Sequence, residues 1–240
     1  MPVFLIYIND CPLTLNKVAS SILFADDTSI IISNTNPEEF KTSINTAMTE
    51  ITNWFRSNLL TFNFNKTNFL QFKKKIKIQI IASNSIRTNI NSTKFLGLII
   101  DSQLSWGEQI ITLTSKLNKA CYSIRAVKSC MSLEVLRTIY FSYAHSAISY
   151  GIIFWGNSHF STNIFKVQKR IIRIITNTGR CDSCRQLFKQ LQILPLPSQY
   201  IFSLLVFVNK NRELFLSNSE IHDINTWYNH DLHLPSTNLT

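Results

Sequence analysis

Long apolar runs are missing from this chain of 240 residues. The longest late one, Leu204 to Val208, falls far short of the ~20 residues that a bilayer-spanning helix needs. The apolar opening stretch, Val3 to Ile8, has no basic region before it and no small-residue cleavage site after it. The sequence therefore predicts no transmembrane segment, no signal peptide and no membrane partner. A disulfide framework is missing too. Cys11, Cys121, Cys130, Cys181 and Cys184 are odd in number and irregular in spacing. Reduced thiols are expected, in a nuclear or cytoplasmic, intracellular setting. The single CxxC, Cys181 to Cys184, has no second Cys or His pair at the spacing of a four-ligand zinc site. His222, His230 and His233 are too scattered to argue for a metal. Internal repeats and long low-complexity segments are also absent.

Acidic residues are scarce everywhere except at the start. Residues 1–60 hold Lys17, Lys41 and Arg56 against six acids, a net charge of −3, so the rest of the chain carries +13 of the total +10. An acidic first quarter and a strongly basic remainder suit a protein that holds a metal in one region and a polyanion in another. With 45% hydrophobic residues the chain can build a core.

The pattern is mixed first and helical later. Residues 20–33 read as a hairpin. Asn36-Pro37-Glu38-Glu39 opens a helix with a capping box and proline at its first position. Phe40, Ile44, Ala47, Ile51, Trp54 and Phe55 then recur at helical spacing to about residue 57. Phe69 to Phe72, the alternating Ile76, Ile78 and Ile80, and Lys94 to Ile100 read as strands. From Ser105, which forms a second capping box with Glu108, Ile110, Leu113, Leu117, Ala120, Ile124 and Val127 line one helix face. Further helices are predicted over residues 133–149 and 163–176. In the last of these, Ile164, Val167, Ile171, Ile174 and Ile175 share one side, and Lys166, Lys169, Arg170 and Arg173 share the other. Four cations with no acid suit a phosphate backbone. The expected class is α+β, with a mixed domain to about residue 103 followed by a helical one.

Asp26 and Asp27 interrupt two apolar runs in SILFADDTSIII. An Asp-Asp pair is a poor hairpin turn, because short hairpins favour Asn-Gly or Asp-Gly. A divalent cation would relieve the repulsion, and hard carboxylate oxygens suit Mg²⁺. The simpler alternative is a solvated turn.

Phe24-Ala25-Asp26-Asp27 resembles the [YF]ADD signature of reverse transcriptases. Other segments resemble that family in the order expected for non-LTR, jockey-like retrotransposons. Pro2 to Asp10 looks like the segment after the template-handling loop. Asn63-Phe64-Asn65-Lys66-Thr67 resembles an NxxKT block, and Phe95-Leu96-Gly97-Leu98 with Asp101 and Trp106 resembles the primer grip. Tyr150-Gly151 with Trp155-Gly156, Val167-Gln168-Lys169-Arg170, and Ser183-Cys184 with Leu187-Phe188 resemble the downstream region.

The resemblance implies a partial polymerase palm over residues 1–103, with an antiparallel hairpin packed on a helix. A helical thumb over 104–150 and a basic helical region over 151–240 would follow. It implies RNA-directed DNA polymerase activity in the parent protein, with an RNA template, a DNA primer and dNTP. Asp26 would bind Mg²⁺ with Asp27 beside it, Lys66 would lie near the incoming triphosphate, and Leu96 and Gly97 would seat the primer end. The family also needs an aspartate on an earlier strand, and no residue here matches it. The chain is thus expected to be a C-terminal piece that is inactive alone. The alternative is a non-catalytic remnant that acts at most as a basic nucleic-acid-binding domain. A receiver-type phosphorylation domain is set aside because Lys66 is followed by Thr67 rather than proline.

Overall fold

The computed structural model describes residues 6–15, 18–25, 27–61, 63, 66–72, 80–82, 85–87, 90–222 and 227–233. The chain divides into two compact units, Met1–Leu104 and Ser105–Thr240. All named strands lie in the first and the second is helical, so the protein is α+β.

In the first unit, residues 6–8 are helical and turn at Asn9 and Asp10 into a short helix, α1 (Cys11–Leu15). Strands β1 (Ser20–Phe24) and β2 (Asp27–Ile31) pair antiparallel, from Ser20 opposite Ile31 to Phe24 opposite Asp27. Asp27 already belongs to a strand, which corrects the expectation that it stands with Asp26 at the break between the two apolar runs. Helix α2 (Pro37–Ser57) follows. The Asn36 side chain caps it by accepting from the Glu38 N–H at 3.0 Å. The other half of the expected capping box does not form. Glu39 accepts from the side-chain amides of Asn34 and Asn36, while the Asn36 N–H goes to Asn34 Oδ1.

Helix α2 buries Ile44, Ala47, Ile51 and Trp54, the face read from periodicity. Leu23 of β1 packs with Ile8, Cys11 and Trp54, and Ile30 of β2 packs with Leu15, Ala47 and Ile51. Each fully buried Ile there contributes ~1.5–3 kcal/mol relative to exposure. Strands β3 (Ile80–Ala82) and β4 (Ser85–Arg87), and β5 (Ser92–Phe95) and β6 (Leu98–Asp101), form two more antiparallel pairs. Among the described residues the three pairs are separate sheets. Phe69 to Phe72 is not a strand: it supplies one parallel bridge, Leu70 to Ile90, because no strand pairs with its whole length. Ile76, Ile78 and Asp26 lie outside the described residues.

The second unit is built on one core. Helix α3 (Gly107–Val127) packs along α7 (Ser161–Thr176). Between them run α4 (Leu133–Ile139), a π-helical segment (Tyr140–His145), α5 (Ser146–Ser149) and α6 (Ile152–Trp155). Helices α8 (Arg185–Gln190) and α9 (Leu196–Lys210) follow, then a 3₁₀ turn (Arg212–Leu214) and α10 (Asn218–Ile221). Ile110, Leu117, Ile124, Tyr140, Ile148, Trp155, Ile164, Ile171 and Leu196 belong to the same core, so it unites helices from both sides of residue 150. The N-cap of α3 is Trp106 rather than the expected Ser105. Trp106 is in left-handed conformation with φ 64° and stacks on Phe154 at 6.1 Å, while the Ser105 hydroxyl accepts the Gly107 N–H at 3.4 Å. Gly156 meets close approach: a Cβ there would lie 2.5 Å from Tyr200 Cδ2 and 2.6 Å from the Ile152 carbonyl.

Candidate functional site

The β1–β2 hairpin has two unlike faces, because side chains alternate along a strand. Leu23 and Ile30 point to the α2 side. The other face carries Phe24, Ile22 and Ile31, all exposed, and directly opposite Phe24 stands Asp27. A two-residue hairpin loop needs positive φ, and Ala25 has φ 54°. Asp27 is exposed, and its side chain forms no hydrogen bond or ion pair with a described residue. An unshared carboxylate at the rim of an open hairpin face is a fit donor for a hard cation. Among the described residues no group of three or more His, Cys, Asp or Glu gathers.

Lys66 lies in a turn organised by Asn63. The Lys66 N–H donates to the Asn63 carbonyl and side-chain oxygen, at 3.1 and 3.3 Å, and the Thr67 hydroxyl donates to the same carbonyl at 2.9 Å. The Asn and Thr of the NxxKT block thus build the turn, and Lys66 is left exposed. Leu96 and Gly97 form the two-residue turn between β5 and β6, with φ 44° and 84°. Glycine accepts that conformation without the Cβ penalty, whereas Leu96 is strained by it. Asp27, Lys66 and the Leu96–Gly97 turn therefore stand on three separate elements of the first unit.

The four cations of α7 share one side of the helix but not one environment. Lys166 and Arg170 are exposed, and Arg170 donates to Asn118 Oδ1 of α3 at 3.4 Å. Lys169 is half-buried, its ammonium 4.6 Å from the Phe165 ring centre. Arg173 donates from Nε and an Nη to the Asp182 carbonyl, at 3.1 and 2.8 Å. That carbonyl is presented by a loop in which the Asp182 carboxylate accepts the Gly179 N–H at 2.7 Å. Arg170 and Arg125 both lie near the Cys121 thiol. Burial pushes that thiol up, and the two guanidinium charges oppose the rise. The basic side of α7 thus continues across its seam with α3, whose Lys116 and Lys119 are exposed. Between described residues the structure holds one ion pair, Lys41 with Glu38, so no acid pairs with these cations there.

Two features escaped the sequence reading. His222 and His233 are not scattered in space: their rings lie 5.2 Å apart. The antiparallel bridge from Ser217 to Leu232 brings the two together, and no local spacing announces it. Gln168 is fully buried on α7. Its amide donates to the Tyr140 hydroxyl at 2.9 Å and the Leu194 carbonyl at 3.0 Å, and its oxygen accepts the Leu196 N–H at 2.9 Å. A glutamine on the apolar side of an amphipathic helix was its only signal. Among the described residues no helix is long and apolar enough to cross a membrane. The chain matches none of the protein-family models, the curated proteins or the solved structures with which it was compared.

Proposed function

We propose that this chain is part of a reverse transcriptase of the non-LTR retrotransposon type. On this reading the first unit is a piece of the palm and the second is the thumb with the basic region beyond it. The observation that carries the reading is the Phe-Ala-Asp-Asp hairpin, with Asp27 on a strand and on the face that its helix leaves open. In this role Asp27, with Asp26, is a hard-oxygen anchor for Mg²⁺. The bound ions supply activation of the primer 3′-hydroxyl and stabilisation of the leaving pyrophosphate. Lys66, free at the tip of its Asn63-built turn, offers a cation to the triphosphate. The Leu96–Gly97 turn brings backbone close to the primer end, and the exposed cations of α7 meet phosphates. What the protein contributes to such a reaction is mostly positioning and fixed charge.

The test is Mn²⁺ titration followed by NMR on the full chain. Paramagnetic broadening is expected first at residues 22–29, and Asp27→Asn should abolish it there. Broadening that ignores Asp27→Asn overturns the reading.

A second reading, a non-catalytic nucleic-acid-binding remnant, is favoured by one observation: a basic α7 face with no described acid paired to it. It requires binding of nucleic acid without any effect of Asp27→Asn.

A further inference from the structure

The segment after α9 folds back on itself and brings two imidazoles together. His222 closes α10, and His233 directly follows the antiparallel bridge from Ser217 to Leu232. Hydrogen bonds fix this frame. The Asn218 N–H donates to the Asp231 carbonyl at 2.9 Å, the Ser219 N–H to the Asn229 carbonyl at 2.8 Å, and the His233 N–H to the Leu216 carbonyl at 2.8 Å. The Asn218 side-chain amide donates to the Tyr228 carbonyl at 2.9 Å, and Arg212 donates to the His230 carbonyl at 2.9 Å. The ring centres of His222 and His233 stand 5.2 Å apart, with their planes tilted by 58°. Neither imidazole makes a hydrogen bond to a described residue. His222 is exposed and His233 half-buried, so an ion can reach the pair from solvent.

We propose that His222 and His233 are the two protein ligands of a Zn²⁺ site. Spacing is the first argument. Zn–N bonds are ~2.0–2.1 Å long and a ring nitrogen lies ~1.2 Å from its ring centre, so two imidazoles at the tetrahedral angle have centres roughly 5 Å apart. The observed 5.2 Å matches that spacing. Aromatic pairs held by ring contact alone prefer offset stacking or an edge-to-face arrangement, and a tilt of 58° is neither.

Donor chemistry is the second argument. A neutral imidazole offers a nitrogen lone pair that suits Zn²⁺, whereas Mg²⁺ takes hard oxygens. The site therefore differs in kind from the aspartate pair of the first unit, and the inference does not depend on the polymerase reading. Preorganisation is the third. The frame holds both rings together without an ion, so binding does not have to gather them from a free chain. No third side chain joins them among the described residues, which leaves the other positions of the tetrahedron to water. A bound ion ties the end of α10 to the chain after the bridge and stabilises that frame by linkage.

Zn²⁺ titration of the full chain tests this, in a Cys130→Ser, Cys181→Ser background that removes the exposed competing thiols. Binding is read by calorimetry and by histidine side-chain NMR. The His222 and His233 imidazole signals should move together over the first equivalent, while those of His145, His159 and His230 stay. His222→Ala should abolish the shift of His233, and His233→Ala that of His222. The heat of binding should be lost in both variants and kept in His230→Ala and Asp27→Asn. Amide signals of residues 216–221 should show that the frame persists in each variant, because His233 bonds Leu216 through its backbone. Imidazole signals that do not move overturn the proposal. So does a His233 shift that persists in His222→Ala, or a heat of binding that survives both alanine variants.

Discussion

Gln168 and His145 are two side chains whose surroundings set opposite consequences. Gln168 satisfies three partners inside the core, and burial pushes the Tyr140 phenol beside it up to about 12, although the Gln168 amide works against that rise. Replacing Gln168 by alanine strands the Tyr140 hydroxyl and the Leu196 N–H away from water. Each stranded group costs ~1–3 kcal/mol, so a loss of about 3 kcal/mol or more is expected in urea unfolding. Gln168→Glu should do comparable harm, because it removes the amide donor and buries a charge. His145 sits in the π-helical segment against Phe141 and Tyr140, and its Nδ1 has no hydrogen-bond partner among the described residues. Burial lowers its pKa. The unfolded chain therefore takes up a proton before the folded one does. Its contribution to stability is complete above the unfolded value near ~6.5 and declines as pH falls through it. Thermal melts from pH 8 down to pH 5 should show a steeper decline for the wild type than for His145→Gln. Parallel curves would show that the imidazole is solvated in both states.

Among the elements, α7 bears most directly on binding. Helical spacing placed Lys166, Lys169, Arg170 and Arg173 on one side. It could not show that the left-handed turn at Asn177 and the loop after it bring the Asp182 carbonyl to Arg173. Arg173 is thus a clamp on that loop, and Lys166 and Arg170 are the exposed pair. Replacing both by Gln should reduce the salt slope of duplex DNA binding by about 1.8, at ~0.9 per phosphate, with the melting temperature kept. Arg173→Gln should instead lower the melting temperature. An unchanged slope in the double variant would mean that phosphates lie elsewhere.

The same contrast separates what was legible in the sequence from what was not. Faces of α2, α3 and α7 were legible because each helix buries one continuous stripe. The strands around Leu23 and Ile30 were legible because apolar runs flank a short break. The Trp106 cap was hidden, since Ser105 and Glu108 stand at capping-box spacing while the chain enters the helix one residue later. The π-helical segment was hidden because a single turn of i→i+5 bonds inside a helix has no residue signature of its own. Asp27 moved from turn to strand because hairpin register depends on which cross-strand pair closes the loop, and composition does not determine that.

At the scale of the whole molecule, the charge distribution and the carboxylates point in different directions. A remainder carrying +13 suits polyanion binding, while the proposed metal chemistry would rest on the few acids of the first unit. Two Mg²⁺ ions ~3.5–4 Å apart need a ligand that bridges them from a facing strand, and each demands near-octahedral oxygen geometry. Asp26 and Asp27 are adjacent along one hairpin. β1, the strand paired with Asp27, carries no carboxylate, and among the described residues no group of three or more His, Cys, Asp or Glu forms. Asp10 stands at a helix turn and Asp101 ends a strand of a separate sheet. Residues 1–240 alone are therefore expected to bind a primer on an RNA template without extending it. A primer-extension assay with Mg²⁺ or Mn²⁺, run beside Asp26→Asn, checks this. Extension by the unaltered chain that disappears in Asp26→Asn would show that these 240 residues do assemble a bridging ligand. Binding with no extension in either is the expected result.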